Sequence, residues 1–504
     1  MASLVKKYTK KKLTGQILTP FYIVDKILDN VGYNSSEILG KKIIDPACGD
    51  GRFLIKIVER IIKYSPKEKL VENLQNVYGW DIDETAINKA INKLNQIIKP
   101  FNIIVNWNIK TTNSLHKGKS KQDLFSPSEI IEKFDFIIGN PPYIRIQHLD
   151  ILERKFIQNN YNFCKSGSTD IYIAFYELAL NLLKENGKAG YITPNTFFHT
   201  DTAKDLRKFF ETRQNIIQIS NYRHIQLFED ATTYSAIVIF DKKKHKNFIY
   251  QQAKDKNYFE ERIIDFKEIK GQKFWQLSVN KRNIIKGKRL GDIAKIHVGI
   301  TTLSDKIYIM PYVKKEANYI FLQSKYNGLV KIEKDILKPI IKVSTLKNAN
   351  EPIKEYVLFP YKKINGKHKI IPENELKTKY PFAYEYLLKM KHILDKRDNG
   401  KPNSIAWYAF GRTQGLDTTF GKKILFSPMN KEPNFILSDI EEATFYSGYC
   451  IKYDGDCEYL LKQLNSERMK EYIQITARDF RGGWKAYNKK IVQEFIIEPP
   501  EKIT

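Results

Sequence analysis

An apolar, strand-like run that enters a glycine turn constrains the fold of this chain more than any other feature. Residues 41–54 read KKIIDPACGDGRFL, and an amphipathic stretch continues to about Arg60. Gly49 and Gly51 lack a Cβ, so the turn can bend sharply and a ligand can approach the backbone. A strand, a glycine turn and a helix in this order are typical of the first unit of a doubly wound α/β sheet.

The glycine turn also indicates the kind of ligand. A dinucleotide fingerprint needs a third glycine three positions after Gly51, where this chain has Leu54. The more open loop favours a nucleoside with an amino-acid tail over a pyrophosphate. Asp81 follows a second strand-like run about 30 residues downstream, where an acid can bind both ribose hydroxyls. The alternative is that Asp81 and Asp83 cap a helix.

The first half of the chain alternates strand-like runs with helical stretches, which is the pattern of a doubly wound, Rossmann-like sheet. We therefore predict an α/β domain over residues 1–245, a connecting segment over 246–285 and a mixed α/β C-terminal domain over 286–504. The charged segment Asp241–Lys246 marks the first boundary. The strand-like runs lie at 41–45, 77–81, 102–106, 134–138, 188–193 and 234–240, the last of them expected at the sheet edge.

The pentapeptide Gly139–Tyr143, with the sequence GNPPY, directly follows the apolar run at 134–138. An exocyclic amine on a purine ring is a poor nucleophile because its lone pair is delocalised. The Asn140 side-chain oxygen and the Pro141 carbonyl can accept both amine hydrogens and draw the nitrogen towards tetrahedral geometry. Pro141 and Pro142 fix φ and carry no competing N–H, while Tyr143 offers a flat face to a base. The alternative is a simple strand-ending turn.

These motifs, in this order, resemble the amino-group DNA methyltransferases of restriction–modification systems, specifically the TaqI-like adenine-N6 family with gamma motif order. The resemblance extends along nearly the whole chain. It implies a class I methyltransferase domain that binds S-adenosylmethionine, followed by a target-recognition domain that begins near Val298–Thr302. The implied catalytic residues are Asn140, Pro141, Pro142 and Tyr143. The implied cofactor-binding residues are Thr19, Pro20, Asp45, Pro46, Ala47, Cys48, Gly49, Asp81, Ile82, Asn113, Ser114, Leu115 and Asn140.

Two positions depart from the family pattern. The family has an aspartate that binds the cofactor's adenine amine, and Asn113 replaces it here; an amide still accepts that hydrogen bond but adds donors of its own. The target base is expected to stack on Tyr143 and on a second aromatic residue, Phe228. Phe228 lies one residue further from Ser235 than in the simplest family pattern, so Tyr234 is the alternative.

Charge and aromatic content agree with a polyanionic partner. Lysine and arginine number 84 against 57 acidic residues, which gives a net charge of +27 and a pI near 9.5. Segments 407–412 and 479–485 interleave aromatic and basic residues, which can stack on bases or contact phosphates. The alternative is that the aromatics belong to the core and the basic residues to the solvated surface. The predicted DNA-binding residues are Trp407, Arg412, Arg481, Trp484 and Lys485.

Several absent signals narrow the class of protein. The four cysteines and eight histidines show no metal-ligand spacing. No apolar run reaches the roughly 18–20 residues that span a bilayer, and the N-terminus has no export signal. We expect a cytoplasmic, monomeric enzyme that acts on double-stranded DNA. We expect any restriction endonuclease to be a separate protein, because only about 14 residues precede the first cofactor motif, Gly15–Pro20 (GQILTP), too few to form a nuclease domain.

The resemblance predicts N6 methylation of an adenine flipped out of the duplex, because the amine cannot reach a methyl donor inside the stack. Three alternatives remain. Cytosine-N4 methylation uses a similar tetrapeptide, usually with serine in place of the first asparagine. Protein-glutamine N5 methylation shares the tetrapeptide but needs no basic domain after the catalytic one. A non-catalytic DNA-specificity protein is disfavoured by the intact Asn140–Tyr143 motif.

Overall fold

The computed structural model describes residues 18–118, 132–165, 169–228, 233–280, 286–477 and 479–499. The chain divides into two compact units, Met1–Arg282 and Asn283–Thr504. The sequence predicts an earlier end of the first domain, at residue 245, with a connecting segment to 285. The first unit extends further because two segments, Asn247–Ala253 and Phe259–Asp265, form strands that pair into its sheet.

The first unit is built on a nine-stranded sheet. Its strands are β1 (Ile43–Asp45), β2 (Val77–Asp81), β3 (Asn108–Thr111), β4 (Phe134–Gly139), β5 (Leu183–Pro194), β6 (Ile216–Asn221), β7 (Ser235–Phe240), β8 (Asn247–Ala253) and β9 (Phe259–Asp265). Their order is β3-β2-β1-β4-β5-β7-β6-β8-β9. The first five strands in this order are parallel, and β7 runs antiparallel to both of its neighbours. The predicted doubly wound α/β class is therefore confirmed.

Helices cover both faces of this sheet, as a parallel sheet requires. They are α1 (Phe21–Val31), α2 (Arg52–Tyr64), α3 (Leu70–Leu74), α4 (Glu84–Ile98), α5 (Ser114–Lys117), α6 (Ile151–Asn160), α7 (Tyr172–Leu182), α8 (Lys204–Arg213) and α9 (Phe266–Ile269). Successive residues of a strand point to opposite faces. Accordingly Ile137 belongs to the apolar cluster that contains α7 and α8, while Ile138 belongs to the cluster that contains α1, α2 and α4.

Gly51 shows why the turn after β1 needs glycine. It is the residue before α2 and has a positive φ of 87°. A Cβ at this position would lie 2.8 Å from the Ala90 Cβ of α4. Helix α2, which follows Gly51, buries its apolar face, with Phe53, Leu54 and Ile57 in the core. The glycine thus lets α2 and α4 pack closely and directs the loop towards the end of β1.

The observed strands differ from the predicted ones in two respects. Residues 102–106 are not a strand, and β3 lies a few residues later; Ile104 is exposed. The run at 234–240 is expected at the sheet edge, but β7 lies between β5 and β6 and is buried throughout. It is an interior strand because β6, β8 and β9 extend the sheet beyond it.

The second unit is mixed α/β, as predicted. Its strands are β10 (Lys288–Arg289), β11 (Lys295–Val298), β12 (Ile309–Glu316), β13 (Tyr319–Ser324), β14 (Gly328–Glu333), β15 (Leu337–Lys342), β16 (Glu355–Leu358), β17 (Tyr361–Ile364), β18 (Lys367–Ile370), β19 (Lys423–Phe426), β20 (Met429–Asn430), β21 (Phe435–Ser438), β22 (Thr444–Tyr446), β23 (Tyr449–Lys452), β24 (Asp479–Phe480), β25 (Trp484–Ala486) and β26 (Ile496–Ile497). Its helices are α10 (Leu290–Ile293), α11 (Asp305–Tyr308), α12 (Glu373–Lys379), α13 (Pro381–Leu394), α14 (Cys457–Leu464), α15 (Glu467–Thr476) and α16 (Lys489–Val492).

Two larger sheets organise this unit. A six-stranded sheet has the order β14-β13-β12-β16-β15-β22, and a four-stranded sheet has the order β11-β23-β19-β21. Helix α13 packs with the first sheet through Leu387, and helices α14 and α15 pack with the second through Leu464 and Ile473. Among the helices in the described parts of the chain, none combines the length and the apolar character that crossing a membrane demands.

Candidate cofactor and base site

The strand order of the first sheet reverses between β1 and β4, which is its topological switch point. In doubly wound sheets, ligands bind in the crevice at the carboxyl ends of the strands beside such a point. Asp45 ends β1, Asp81 ends β2 and Gly139 ends β4. The fold therefore brings the predicted cofactor residues and the predicted catalytic loop to one edge of the sheet.

Asp81 holds the glycine loop in place. Its Oδ2 accepts a hydrogen bond from the Gly49 N–H at 2.8 Å, and its Oδ1 accepts one from the Asp83 N–H at 2.9 Å. Burial raises the pKa of Asp81, while these backbone hydrogen bonds act in the opposite direction. Each carboxylate oxygen has a second lone pair, so both can still accept a ribose hydroxyl. Asp83, rather than Asp81, caps α4 through the amides of Thr85 and Ala86.

Asp45 lies beneath this loop and is fully buried. Its Oδ1 accepts the Ala47 N–H at 3.0 Å, and burial raises its pKa to about 8. The backbone of β4 passes very close, because a Cβ at Gly139 would lie 2.6 Å from Asp45 Oδ1. Glycine at 139 is therefore required by close approach, and the contact fixes the start of the predicted catalytic loop against the end of β1.

Asn140 is hydrogen-bonded to Thr19, a predicted cofactor residue near the start of the chain. Its Nδ2 donates to the Thr19 Oγ1 at 3.0 Å, and Thr19 is buried. The Thr19 carbonyl accepts from Arg52 Nη1 at 3.2 Å, which ties the same segment to α2. Pro20 follows as the residue that precedes α1. The Thr19 side chain thus orients the amide of the predicted catalytic loop.

The three aromatic residues predicted to stack on a base lie in different surroundings. Tyr143 is partly buried, its hydroxyl donates to the Ile192 carbonyl at 3.2 Å, and its ring meets Tyr172 edge-on at 6.1 Å. Phe228 is only 2% exposed and belongs to the apolar cluster with α1 and α2. Tyr234 is partly exposed immediately before β7, and its carbonyl accepts the Asn195 N–H at 2.9 Å.

Asn113 caps α5 with its side chain. Its Oδ1 accepts the N–H groups of Leu115 and His116 at 3.1 and 3.3 Å. Its Nδ2 donates to Glu153 Oε1 at 3.1 Å. Ser114 is buried and donates to the Pro46 carbonyl at 2.5 Å, which links α5 to the glycine loop. Leu115 is buried as well.

Glu153 contacts the predicted cofactor residue Asn113, and the sequence analysis did not single it out. It lies in the first turn of α6, 40 positions after Asn113, where it resembles an ordinary helix-start acid. The only signal in the sequence was the missing acid at position 113, which could have prompted a search for a carboxylate elsewhere in the chain.

The residues at this edge fit S-adenosylmethionine. A Cβ at Gly49 would meet no described atom within 4 Å, so the loop backbone is open to a ligand. Asp81 offers acceptors for ribose hydroxyls, and Ile82 beside it is 67% exposed and offers an apolar surface to a base. The predicted residues Ala47, Cys48 and Pro46 form the intervening turn, with the Cys48 N–H donating to the Trp80 carbonyl at 3.0 Å.

The predicted DNA-binding residues of the second unit differ in their exposure to solvent. Trp407 is partly exposed and donates to Glu373 Oε1 at 3.0 Å, while Arg412 is exposed and pairs with Asp398 at 3.3 Å. Trp484 is 40% exposed on β25, whereas Lys485 beside it is only 6% exposed. A phosphate contact by Lys485 thus requires a local rearrangement. The Arg481 side chain lies outside the described part of the structure.

The sheet, with its antiparallel β7 and its switch-point site, defines a class I methyltransferase domain, and its cofactor is S-adenosylmethionine. A DNA complex of the type IIL restriction-modification enzyme MmeI has a similar fold, with a TM-score of 0.58 and 12% sequence identity. The match covers 94% of this chain and 65% of that chain. Within the class, residues 75–228 match the family described as Eco57I restriction-modification methylase. The predicted resemblance to restriction–modification methylases is therefore confirmed.

Curated relatives agree with this family. The type II restriction enzyme and methyltransferase RM.Eco57I of Escherichia coli is 28% identical over 94% of this chain, and the chain spans 56% of that protein. The type II methyltransferase M.BstVI of Geobacillus stearothermophilus is 24% identical, with 98% of this chain and 91% of that protein covered. M.BanIII of Aneurinibacillus aneurinilyticus is 26% identical, with 90% and 81% covered.

Proposed function

We propose that this chain is a site-specific DNA methyltransferase that methylates the N6 amine of an adenine flipped out of duplex DNA. The observation that carries the proposal is the Asn140–Tyr143 loop at the carboxyl end of β4, beside the cofactor edge of the sheet. The relatives named type II methyltransferases, which include M.BstVI and M.BanIII, support the reaction class.

The loop suits activation of an exocyclic amine. The Asn140 side-chain oxygen and the Pro141 carbonyl act as the two acceptors for the amine hydrogens, which localises the nitrogen lone pair. Thr19 accepts from the Asn140 Nδ2, so the amide keeps one orientation with its oxygen as the acceptor. Pro141 and Pro142 carry no N–H that could compete for the substrate.

S-adenosylmethionine supplies an electrophilic methyl group on its sulfonium when it is bound. The chain contributes position rather than covalent chemistry: Asp81 and the glycine loop bind the nucleoside, and Asn140 orients the amine for in-line attack. Holding two reactants in such geometry is itself a large part of catalysis for a displacement of this kind.

Base flipping follows from the position of the amine acceptors. An adenine inside the duplex cannot bring its amine to Asn140, so it must leave the stack at a cost of a few kcal/mol. Tyr143 provides one flat face for the extruded base. Phe228 is the predicted second face, but it must leave a buried position to act, and the partly exposed Tyr234 is the alternative.

The second unit is proposed to recognise the DNA sequence. Exposed Trp484 and Arg412 are suited to stacking and to phosphate or guanine contacts. The net charge of +27 favours association with duplex DNA and predicts a steep dependence of binding on salt.

Cytosine-N4 methylation uses the same amine chemistry and is the second candidate; asparagine at 140 favours adenine.

The test is to sequence DNA from a host that expresses the chain, with a method that detects modified bases. N6-methyladenine at one recurrent sequence is expected, and it should be absent with Asn140→Ala. N4-methylcytosine at a recurrent sequence would show that the methylated base is cytosine and not adenine. No modified base in the host DNA, together with methylation of a protein glutamine, would overturn it.

A further inference from the structure

Helices α5 and α6 begin side by side at the cofactor edge, and contacts among four side chains join them. Asn113 Nδ2 donates to Glu153 Oε1 at 3.1 Å. His116 Nε2 lies 2.8 Å from Glu153 Oε2, and the His116 ring stacks on Phe156 at 3.7 Å. Glu153 therefore lies next to the position from which the family's aspartate is expected to bind the cofactor's adenine amine.

The hydrogen bonds of Asn113 leave it unable to do what that aspartate does. An amide oxygen has two lone pairs, and the N–H groups of Leu115 and His116 use both. These two backbone donors also fix which end of the amide is oxygen. Asn113 can accept an adenine amine only if it gives up part of the α5 cap.

Glu153 has the acceptor capacity that Asn113 lacks. A carboxylate has about four lone-pair sites, and the described contacts of Glu153 use two of them. Its side chain is 20% exposed, so a ligand can reach it. Helix α6 does not need Glu153 as a cap, because Asp150 Oδ1 already accepts the N–H groups of Leu152 and Glu153 at 3.0 and 2.9 Å.

We propose that Glu153 accepts the hydrogen bond from the exocyclic amine of the cofactor's adenine, and that Asn113 positions the Glu153 carboxylate. The acid lost at position 113 is thus replaced in space by an acid from a different helix. The inference rests on S-adenosylmethionine being the cofactor and is independent of the base that is methylated. Its competitor is a purely structural role, in which Glu153 only ties α6 to α5.

The experiment compares two ligands by calorimetry: S-adenosylhomocysteine and its analogue with hydrogen in place of the 6-amino group. The parent protein should prefer the amine-bearing ligand by about tenfold or more, since the bond has a charged acceptor. Glu153→Ala should reduce this preference to about twofold or less, and Glu153→Gln should give an intermediate value. Lys155→Gln, an exposed change on the same helix, should keep the parent's preference.

A rescue variant separates recognition from structure. Combining Glu153→Gln with Asn113→Asp exchanges the acid and the amide, and aspartate caps a helix as well as asparagine does. The double variant should regain most of the preference for the amine. If Glu153→Ala weakens both ligands by the same factor and leaves the preference unchanged, Glu153 is only a tether and the proposal is overturned. If the parent protein binds neither ligand, the cofactor assignment is overturned with it.

Discussion

The side chains of Asn140 and Thr19, 121 positions apart in the chain, meet in a hydrogen bond of 3.0 Å at the cofactor edge of the sheet. Thr19 is buried, and Arg52 holds its carbonyl. We therefore propose that Thr19 serves catalysis as well as cofactor binding, because its hydroxyl orients the amide proposed to bind the target amine.

Removing the Thr19 hydroxyl should slow methyl transfer. Thr19→Val keeps the shape of the side chain but removes the acceptor for Asn140 Nδ2, and the loss of one neutral hydrogen bond should lower the single-turnover rate by about fivefold to tenfold. Thr19→Ser is the matched control and should stay near the parent rate. A Thr19→Val enzyme as fast as the parent would show that the amide keeps its orientation without Thr19.

Asp81 should be needed for cofactor affinity. Asp81→Ala removes the ribose acceptor and the anchor of the Gly49 N–H, and should weaken S-adenosylmethionine binding by about 1.5–3 kcal/mol in calorimetry. Asp83→Ala is the control: it removes the cap of α4 and should cost about 1 kcal/mol of stability, with cofactor affinity retained. The reverse pattern would assign the ribose to Asp83.

The two units should be separable at Arg282 but not at Lys244. A chain that ends at Arg282 keeps all nine strands and should bind the cofactor, while losing sequence-selective DNA binding. A chain that ends at Lys244 lacks β8 and β9, and with them the buried residues Phe248 and Tyr250. It should fail to fold by circular dichroism. Sequence-selective methylation by the first truncation would contradict the proposed division of roles.

Base flipping should reveal the second aromatic face. A duplex with 2-aminopurine at the target position fluoresces more strongly when the base leaves the stack. Tyr143→Ala should reduce the signal, consistent with the loss of about 1–3 kcal/mol of stacking. Phe228→Ala is expected to do the same, and Tyr234→Ala is the decisive comparison. If only Tyr234→Ala lowers the signal, the second face is Tyr234, and Phe228 is a core residue.

Asp45 should make stability depend on pH. Its pKa is raised from 3.8 to about 8 in the fold, so the folded state favours the protonated form. Its contribution to stability is present below the unfolded pKa and is lost as the pH rises through about 8. In denaturant titrations, the free energy of unfolding of the parent, relative to that of Asp45→Asn, should therefore fall between about pH 4 and pH 8 and level off above the folded pKa. A constant difference between the two proteins would contradict the buried, protonated state.

Much of the first unit could be predicted because its central strands carry local signals. β1 and β4 are short apolar runs that end in glycine turns or Asn-Pro, so the sequence places both them and the loops that follow. β9 (FEERIID) lacks the regular alternation of apolar and polar residues that marks a strand, and its pairing with β8 depends on contacts that no local pattern encodes. The early domain boundary follows from missing these two strands.

In the candidate site as well, local sequence patterns predict residues at strand ends but not the contacts between distant elements. Asn140 and Asp81 are predicted because each lies at a strand end with a local motif. The partnership of Asn113 with Glu153 joins two helices, and the burial of Phe228 and Lys485 depends on residues packed around them. Tertiary contacts of this kind decide which predicted side chains can reach a ligand without rearrangement.

The extension of the sheet by β8 and β9 bears on how such a protein can acquire new specificity. The chain leaves the sheet after β9, which is separated from β4 by β5, β7, β6 and β8. Neighbouring strands lie about 4.8 Å apart, so β9 lies roughly 24 Å across the sheet from β4. An exchange of the segment that follows can therefore spare the strands that hold Asn140 and Asp81. Under the proposed function, recombination at this junction lets a lineage change the DNA sequence that it methylates and keep the residues that carry out the reaction.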